Sequence, residues 1–240
     1  DIMRSAPGLF AGVKQLARMA MAGAGALTAA NYMAHFLVEG VDAQEVDAKA
    51  RRLRAIAAPI GMEIANTVPA FVRAMPFAPL TNILGPKGER WVPLHGVLPH
   101  DQVVPFHDAF TRFVADRQAE MDAHGLMVGT MFSSVGSTGF LYEIALHWPD
   151  AQTPYHAATL DAETRAGLPT YPESTANRAY VDGFKAALID LFGAFGAAHF
   201  QIGRAYPYRD RLDPAQAALL RAIKAQLDPR GLMNPGVLGL

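Results

Sequence analysis

A hairpin signal in the middle of the chain constrains the fold more than any other feature. The segments Leu126–Ser134 and Gly139–Trp148 have the pattern of strands, and Val135-Gly136-Ser137-Thr138 joins them through a short turn. Such a connection makes the two strands run antiparallel. Because helix-like and strand-like segments alternate along the rest of the chain, we predict an α+β fold, with helices packed on a mostly antiparallel sheet.

The other predicted elements follow from hydrophobic spacing and capping residues. The sequence predicts a helix over Leu9–Ala22. A second helix follows the capping box Asp42-Ala43-Gln44-Glu45 and has Val46, Ala50, Leu53 and Ala57 on one face. A third helix is capped by Asp101 and has Phe106, Phe110, Phe113 and Arg117 on one face. A fourth helix carries the stripe Tyr180, Phe184, Leu188, Leu191 and Phe195. A fifth runs between Asp213-Pro214 and a left-handed Gly231, with Leu220, Ile223 and Leu227 facing inward. Predicted strands are Ala29–Glu39, Gly61–Val68 and Trp91–Leu98, and predicted long loops are Pro69–Glu89 and Pro149–Thr175.

The bulk composition excludes several classes of protein. The chain has 240 residues, of which 51% are hydrophobic and 18% charged, as in a globular protein. Its formal net charge is -1 without a long basic run, so we expect no nucleic-acid partner. The absence of cysteine excludes disulfides, thiolate nucleophiles and cysteine zinc sites.

The amino-terminal region gives expectations about membranes and processing. Met19–Val38 has no formal charge and is long enough to cross a bilayer, but it consists mostly of Ala and Gly and is interrupted by Asn31, Tyr32 and His35. We therefore predict no membrane span. The chain opens at Asp1 without a signal-peptide pattern, which is typical of a fragment or processed piece. We expect a cytoplasmic location, and the composition leaves the periplasm open.

Adjacent Tyr208 and Arg209 form the most chemically specific pair in the sequence. A guanidinium stays charged at any working pH, and a phenol hydroxyl adds a directed hydrogen bond, so the pair suits a phenolate or a carboxylate. The alternative from spacing is a surface arginine that pairs with Asp210 or Asp213, since exposed ion pairs are common.

Three motifs carry a resemblance to a known family. They are the ending Asp228-Pro229-Arg230-Gly231-Leu232-Met233-Asn234-Pro235-Gly236, the Tyr208-Arg209 pair, and Arg90-Trp91-Val92-Pro93-Leu94-His95-Gly96. With them the sequence resembles the carboxy-terminal half of the FAD-linked oxidases. Within these it is most similar to the branch of vanillyl-alcohol oxidase and 4-cresol dehydrogenase.

The resemblance implies an architecture and a reaction. Residues 1–198 would form the substrate-binding cap domain, and residues 199–240 would return toward a flavin-binding domain that this chain lacks. The implied activity is oxidation of a para-substituted phenol by hydride transfer to FAD. The implied partners are the phenolic substrate, a flavin-binding domain or subunit, and a cytochrome as a candidate electron acceptor. A homo-oligomer is also expected, for which the aromatic face of the Tyr180–Phe195 helix could serve as an interface as well as a core.

The resemblance also implies roles for particular residues. Tyr208 and Arg209 would hold the substrate phenolate as catalytic residues, and Arg209 would also stabilise negative charge on the reduced flavin. His95 lies where the branch carries a histidine bonded covalently to the flavin, but its spacing to Pro99 differs by about one residue from the expected pattern, so His95 either forms this link or only lines the pocket. Asn234 is a turn former that would also contact FAD.

Other assignments stay open or are excluded. The related 2-hydroxyacid dehydrogenases carry Glu-His-Gly before the last helix and some bind a metal there, whereas this chain reads His199-Phe200-Gln201, so we expect no metal at His95 or His100. A 2-hydroxy acid, with Arg209 on its carboxylate, remains the alternative substrate, and a non-catalytic α+β binding module is the alternative function. Glu143 and His147 share one face of a predicted strand, either as an acid–base pair in a cavity or as a polar solvent face. Gly23-Ala24-Gly25 lacks the third glycine of a dinucleotide loop, so no phosphate-binding loop is predicted.

Overall fold

The computed structural model describes residues 30–64 and 83–240. The chain divides into two compact units, Asp1–Pro79 and Leu80–Leu240. Predictions for Leu9–Ala22, for most of Pro69–Glu89 and for the end of Gly61–Val68 lie outside the described residues.

The described part of the first unit is built around helix α1 (Ala43–Ala57). The Asp42 half of the predicted capping box is present, because Asp42 Oδ1 accepts from the Glu45 amide at 2.9 Å. Glu45 Oε2 accepts from the Val41 amide at 2.8 Å, one residue before the cap, where a capping box uses the Asp42 amide. The predicted apolar face is half-buried, while the rest of the helix is mostly exposed.

Two strands predicted in the first unit are wrong over the residues that can be compared. Residues 30–39 form no strand and are mostly exposed, with Phe36 at 60% and Leu37 at 71%. Residues 61–64 likewise have no regular structure. An apolar run becomes a strand only when another strand pairs with it, and among the described residues none pairs with these segments.

The second unit contains the sheet and most of the helices. Its strands are β1 (Arg90–Leu98), β2 (Met127–Val135) and β3 (Gly139–Trp148). Its helices are α2 (Val103–Ala115), α3 (Gln118–His124), α4 (Pro154–Thr159), α5 (Ala162–Ala166), α6 (Thr175–Ala194) and α7 (Pro214–Leu227), with 3-10 turns at His100–Gln102, Arg209–Arg211 and Val237–Gly239. The predicted α+β class is confirmed.

The sheet has three strands in the order β1-β3-β2, and both pairings are antiparallel. The predicted hairpin is therefore confirmed. In the register, Leu94 of β1 and Thr130 of β2 both lie opposite Ile144 of β3. Strand β1 is an edge of this sheet, so the outward backbone groups of β1 need partners from elsewhere.

One face of the sheet packs under helices α2 and α6. Buried residues alternate along β3, where Tyr142, Ile144, Leu146 and Trp148 point to the core. The main aromatic contact joins Phe106 of α2 to Phe192 of α6, whose ring centroids are 4.6 Å apart. The core comprises Leu94, Leu98, Phe106, Phe110, Met121, Leu126, Tyr142, Ile144, Leu146, Trp148, Val181, Phe184, Leu188, Ile189, Phe192, Ala197 and Tyr206.

The aromatic stripe predicted on α6 belongs to this core. Phe184 and Leu188 are buried, and Tyr180, Leu191 and Phe195 are partly buried against the core. The buried face also includes Val181, Ile189 and Phe192, so it is rotated by about one residue from the predicted stripe. This face fills the core of the chain itself.

Several predicted helix details are corrected. The Asp101 side chain does not cap α2, because a 3-10 turn over His100–Gln102 precedes it and Gln102 occupies the cap position without a side-chain bond. Helices α4 and α5 lie inside the predicted loop Pro149–Thr175, and α3 was not predicted. These helices are too short for a 3.6-residue pattern to show, and local caps start α4 and α5.

The last helix starts as predicted, with the Asp213 carboxylate accepting from the Ala215 amide at 2.9 Å. Its predicted inward face is wrong at two of three residues, because Ile223 is 48% and Leu227 is 80% exposed, while Leu220 is half-buried. Gly231 is left-handed, with φ of 65°, but it lies in the turn after the helix and not at its cap. Among the described helices, none is both long and apolar enough to cross a membrane.

Candidate functional site

The sheet face opposite the core carries polar groups. Because Tyr142, Ile144 and Leu146 point to the core, the intervening Glu143 and His147 point to the other face, as predicted. The register places Glu143 directly opposite His95 of β1, so the two side chains share this face.

His95 is the most deeply covered titratable group of this face, with only 2% of its surface exposed. It lies within strand β1, and its ring stacks on Phe200 with centroids 4.6 Å apart and planes 21° apart. Its Nδ1 is 3.8 Å from Glu143 Oε2, and among the described residues neither ring nitrogen has a hydrogen-bond partner. A buried imidazole with two unbonded nitrogens is unusual and indicates unused binding capacity.

The backbone of His95 is held by a segment that follows α6. We call residues 197–206 the strap. The Tyr206 hydroxyl accepts from the His95 amide at 3.0 Å, and His199 Nδ1 donates to the His95 carbonyl at 2.7 Å. Ala198 pairs with Val97 through two backbone bonds of 2.7 and 2.9 Å. The strap thus satisfies the outward groups of the edge strand.

His199 and Tyr206 form a stacked pair within the strap. Their ring centroids are 3.9 Å apart and their planes 13° apart. Burial raises the pKa of the Tyr206 phenol, although its bond with the His95 amide acts in the opposite direction. Burial also lowers the pKa of His199, the His95 carbonyl opposes this, and the charge of Arg211 adds to the lowering. Both groups therefore stay neutral near pH 7.

Arg211 contacts the outer side of His199. Its Nη1 lies 2.7 Å from His199 Nε2, and its Nη2 donates to the Ile189 carbonyl of α6 at 2.8 Å. A Cβ added at Gly193 would collide with the Arg211 guanidinium, so the lack of a side chain at Gly193 lets Arg211 lie across the end of α6.

Tyr208 and Arg209 follow the strap and lie against the end of the chain. Arg209 Nε and Nη2 are 2.9 and 2.8 Å from Asp210 Oδ1, and Nη1 donates to the Gly239 carbonyl at 2.6 Å. The Arg209 side chain is 39% exposed, and Tyr208 is half-buried. In this structure Arg209 therefore makes the pair with Asp210 that was one of the two alternatives from spacing.

The predicted terminal motif forms a self-contained turn. The Asp228 carboxylate accepts from the Leu232 and Met233 amides at 2.9 Å each and from Lys224 Nζ at 2.6 Å. The bond with Lys224, followed by that with the Met233 amide, lowers the pKa of Asp228. Asn234 is exposed and left-handed, with φ of 47°, which matches its prediction as a turn former.

The end of the chain returns to the strap. The Leu238 amide donates to the Gly203 carbonyl at 2.8 Å, and Arg209 holds Gly239 as described above. Beside this return lies an apolar groove of about 380 Å³, lined by Leu220, Ile223, Lys224, Leu227, Asp228, Met233 and Leu240. The structure brings His95 together with the strap, and it brings Tyr208 and Arg209 together with the carboxy terminus.

A second polar cluster lies near the start of β1 and was not predicted. Glu89 is only 3% exposed and accepts from the Lys87 amide at 2.8 Å. A Cβ added at Gly85 would lie 2.6 Å from Glu89 Oε2 and 2.8 Å from His147 Nδ1, so both side chains close around that glycine. Burial lowers the pKa of His147, and the charge of Glu89 opposes this. Within the described residues, no three His, Asp or Glu side chains are grouped so that they could hold a metal ion.

Comparisons with known proteins give one family match, at the carboxy terminus, and a similarity to a solved structure. The model of the family described as FAD linked oxidases, C-terminal domain, matches residues 202–238. No curated protein sequence gives a match. A solved structure of alkyldihydroxyacetonephosphate synthase is similar with a TM-score of 0.43 and 14% identity, covering 80% of this chain and 29% of that chain. The chain thus spans less than a third of the length of that synthase chain.

Proposed function

We propose that this chain is the substrate-binding half of an FAD-dependent oxidoreductase. The observation that carries the proposal is the family match over residues 202–238. That segment includes Tyr208, Arg209 and Asn234, and it also includes Tyr206, whose hydroxyl is bonded to the backbone of His95. The matched segment is therefore joined physically to the sheet face that carries the unbonded imidazole.

The residues around His95 fit contact with a flat ring system. The imidazole already stacks on the ring of Phe200, and neither of its nitrogens is hydrogen-bonded to a described residue. We assign His95, Arg209 and Asn234 to the flavin side of the site, with a covalent link through His95 as one form of this contact. We assign no phosphate-binding residues in the described part of the chain and infer that a flavin-binding domain or subunit holds the phosphates. FAD, when bound, supplies the acceptor for a hydride.

For the substrate we propose a para-substituted phenol, as in the branch of vanillyl-alcohol oxidase and 4-cresol dehydrogenase. Tyr208 would donate a hydrogen bond to the phenolate oxygen, and Arg209 would place a permanent positive charge beside it. An anionic oxygen makes the ring electron-rich, which eases loss of hydride from the benzylic carbon and gives a quinone methide. Asp210 already contacts the Arg209 guanidinium, so a bound substrate would either displace Asp210 or share the guanidinium with it.

The test uses the chain joined to its flavin-binding half. We expect Arg209→Ala to lower turnover of a 4-alkylphenol by about 100-fold, and Arg209→Lys to recover part of it, because a lysine keeps the charge but not the planar fork. Arg230→Ala serves as the matched control, because Arg230 is an exposed arginine of the same terminal region. Equal turnover in the wild type and Arg209→Ala would remove the proposed role.

An absorption spectrum before and after acid precipitation tests the cofactor assignment. A yellow protein whose colour stays with the precipitate indicates covalent flavin, and His95→Ala should then release the colour into the supernatant. A colourless full-length protein would instead favour the non-catalytic binding module. A cytochrome acceptor is tested by anaerobic reduction of a cytochrome, and a homo-oligomer by sedimentation.

A 2-hydroxy acid remains the second candidate substrate, because one observation favours it. Arg209 already binds a carboxylate, that of Asp210, through two of its nitrogens at 2.9 and 2.8 Å. A substrate carboxylate could replace Asp210 with the same geometry. Competition between a 4-alkylphenol and a 2-hydroxy acid for turnover distinguishes the two candidates.

A further inference from the structure

The contacts of His199 require one protonation state. Its Nδ1 faces the His95 carbonyl at 2.7 Å, and a carbonyl only accepts, so Nδ1 must carry a hydrogen. Its Nε2 faces Arg211 Nη1 at 2.7 Å, and a guanidinium only donates, so Nε2 must present its lone pair. Both bonds exist together only when the imidazole is neutral and protonated at Nδ1.

A second proton on His199 would convert this contact into a repulsion. Two donors and two positive charges would then meet at a separation that suits a hydrogen bond, in a half-buried position where charge is poorly screened. Among the described residues, no carboxylate forms an ion pair with Arg211 that would offset the added charge. Arg211 also holds the Ile189 carbonyl, so its guanidinium is not free to move far without losing that bond.

The groups that face His199 come from four directions. Strand β1 contributes His95, the strap contributes Tyr206, and the turn after it contributes Arg211. Helix α6 contributes only the uncharged ring of Phe192, with centroids 5.9 Å apart. From the sheet, the Glu143 carboxylate lies 3.8 Å from the His95 ring, and its charge also acts on Tyr206, the ring stacked on His199.

We propose that residues 198–205 of the strap form a pH-sensitive cover over His95, closed while His199 is neutral and opened when His199 takes up a proton. Opening would break the bonds that Ala198 and His199 make with the outward edge of β1 and would move Phe200 off the His95 ring, while Ala197 and Tyr206 stay in the core. The proposal stands on the contacts of His199 and holds with or without a bound flavin, so its failure is distinguishable from failure of the proposed function.

The direction of the pKa agrees with this geometry. Burial lowers the pKa of His199 below its ordinary value of 6.5, and Arg211 lowers it further. Closure therefore weakens proton binding, and by linkage a proton weakens closure. The closed strap is favoured fully above about pH 6.5 and loses stability as the pH falls below that value.

Amide hydrogen exchange on the 240-residue chain tests the proposal. The reporters are the amides of Val97 and Ala198, each of which donates across the contact between strap and strand. Between about pH 8 and about pH 5, after correction for intrinsic rates, we expect these amides to lose protection by about tenfold for each unit by which closure lowers the pKa. The Ile144 amide in the central strand should keep its protection.

Two variants separate titration from simple damage. His199→Gln keeps one donor and one acceptor but cannot be protonated, so the reporters should stay protected at both pH values. Arg211→Met removes the opposing cation, so a protonated His199 keeps its bond to the His95 carbonyl and the strap should stay closed at about pH 5. His100→Gln, at an exposed histidine, should behave as the wild type does.

Each outcome decides for or against the cover. Unchanged reporter protection in the wild type, or an equal loss at Ile144, would overturn the proposal. An acid-induced loss in Arg211→Met as large as in the wild type would overturn it as well, whatever His199→Gln shows. An NMR titration that gives His199 a pKa above 6.5 would contradict it, and one below 6.5 would support it.

Discussion

Gly96 offers a sharp test of how closely the strap region packs against the core. A Cβ added there would lie 2.8 Å from Phe192 Cδ1, 2.9 Å from Ala197 Cβ and 3.2 Å from Phe192 Cε1. Phe192 is fully buried and Ala197 is 6% exposed, so neither can withdraw without disturbing the core. Overpacking of this kind costs about 1–3 kcal/mol, so we expect Gly96→Ala to lower the free energy of unfolding by that amount.

Urea unfolding followed by tryptophan fluorescence measures the effect directly. Both tryptophans of the chain, Trp91 and Trp148, lie in paired strands of the sheet. In a thermal melt, the melting temperature of Gly96→Ala should fall by about 2–12 °C relative to the wild type, because each kcal/mol corresponds to about 2–4 °C for a unit of this size. Gly129→Ala is the matched control, because the nearest atom to its added Cβ is 3.9 Å away, and it should be neutral or stabilising by up to about 1 kcal/mol. Equal stabilities for Gly96→Ala and Gly129→Ala would refute the packing argument.

Three further predictions concern buried polar groups and the terminal turn. Burial, and after it the charge of Arg90, lowers the pKa of His156 below 6.5, so the stabilising contribution of His156 is present above pH 6.5 and is lost as the pH falls. In His156→Asn, the urea midpoint should therefore change less between about pH 7.5 and about pH 5.5 than it does in the wild type. Asp150 is 1% exposed and accepts from the Ser174 amide at 2.8 Å, so Asp150→Ala leaves a part-buried donor without its acceptor and should cost about 1–3 kcal/mol in a denaturant titration; no measurable loss would contradict this. Asp228→Ala should speed hydrogen exchange at the Met233 amide while leaving the sheet amides unchanged.

The parts of the fold that sequence reasoning predicted correctly depend on local patterns. The hairpin of β2 and β3 followed from two strand-like runs and a short turn, and the start of α1 followed from Asp42 and Glu45. Such signals involve residues within a few positions of one another, so no knowledge of distant contacts is needed. The start of α7 at Asp213-Pro214 belongs to the same group.

The wrong predictions concern which apolar surfaces find a partner. Residues 30–39 have the composition of a buried strand, and Leu227 has the spacing of an inward residue, yet both are largely exposed. Hydrophobic periodicity identifies a face that could be buried, but only the arrangement of other elements determines whether anything covers it. The same limit applies to α6, where packing against α2 rotated the buried face from the predicted one.

For the candidate site, the sequence determined the residue types and the tertiary structure determined their neighbours. His95, Tyr208, Arg209 and Asn234 could be named from motifs, and the family match over residues 202–238 covers three of them. The contacts of Tyr206 and His199 with the backbone of His95 join positions 111 and 104 residues apart, and no local pattern encodes contacts across such distances. They arise because β1 is an edge strand whose free amides and carbonyls must be satisfied, and the folded chain brings the strap to that edge.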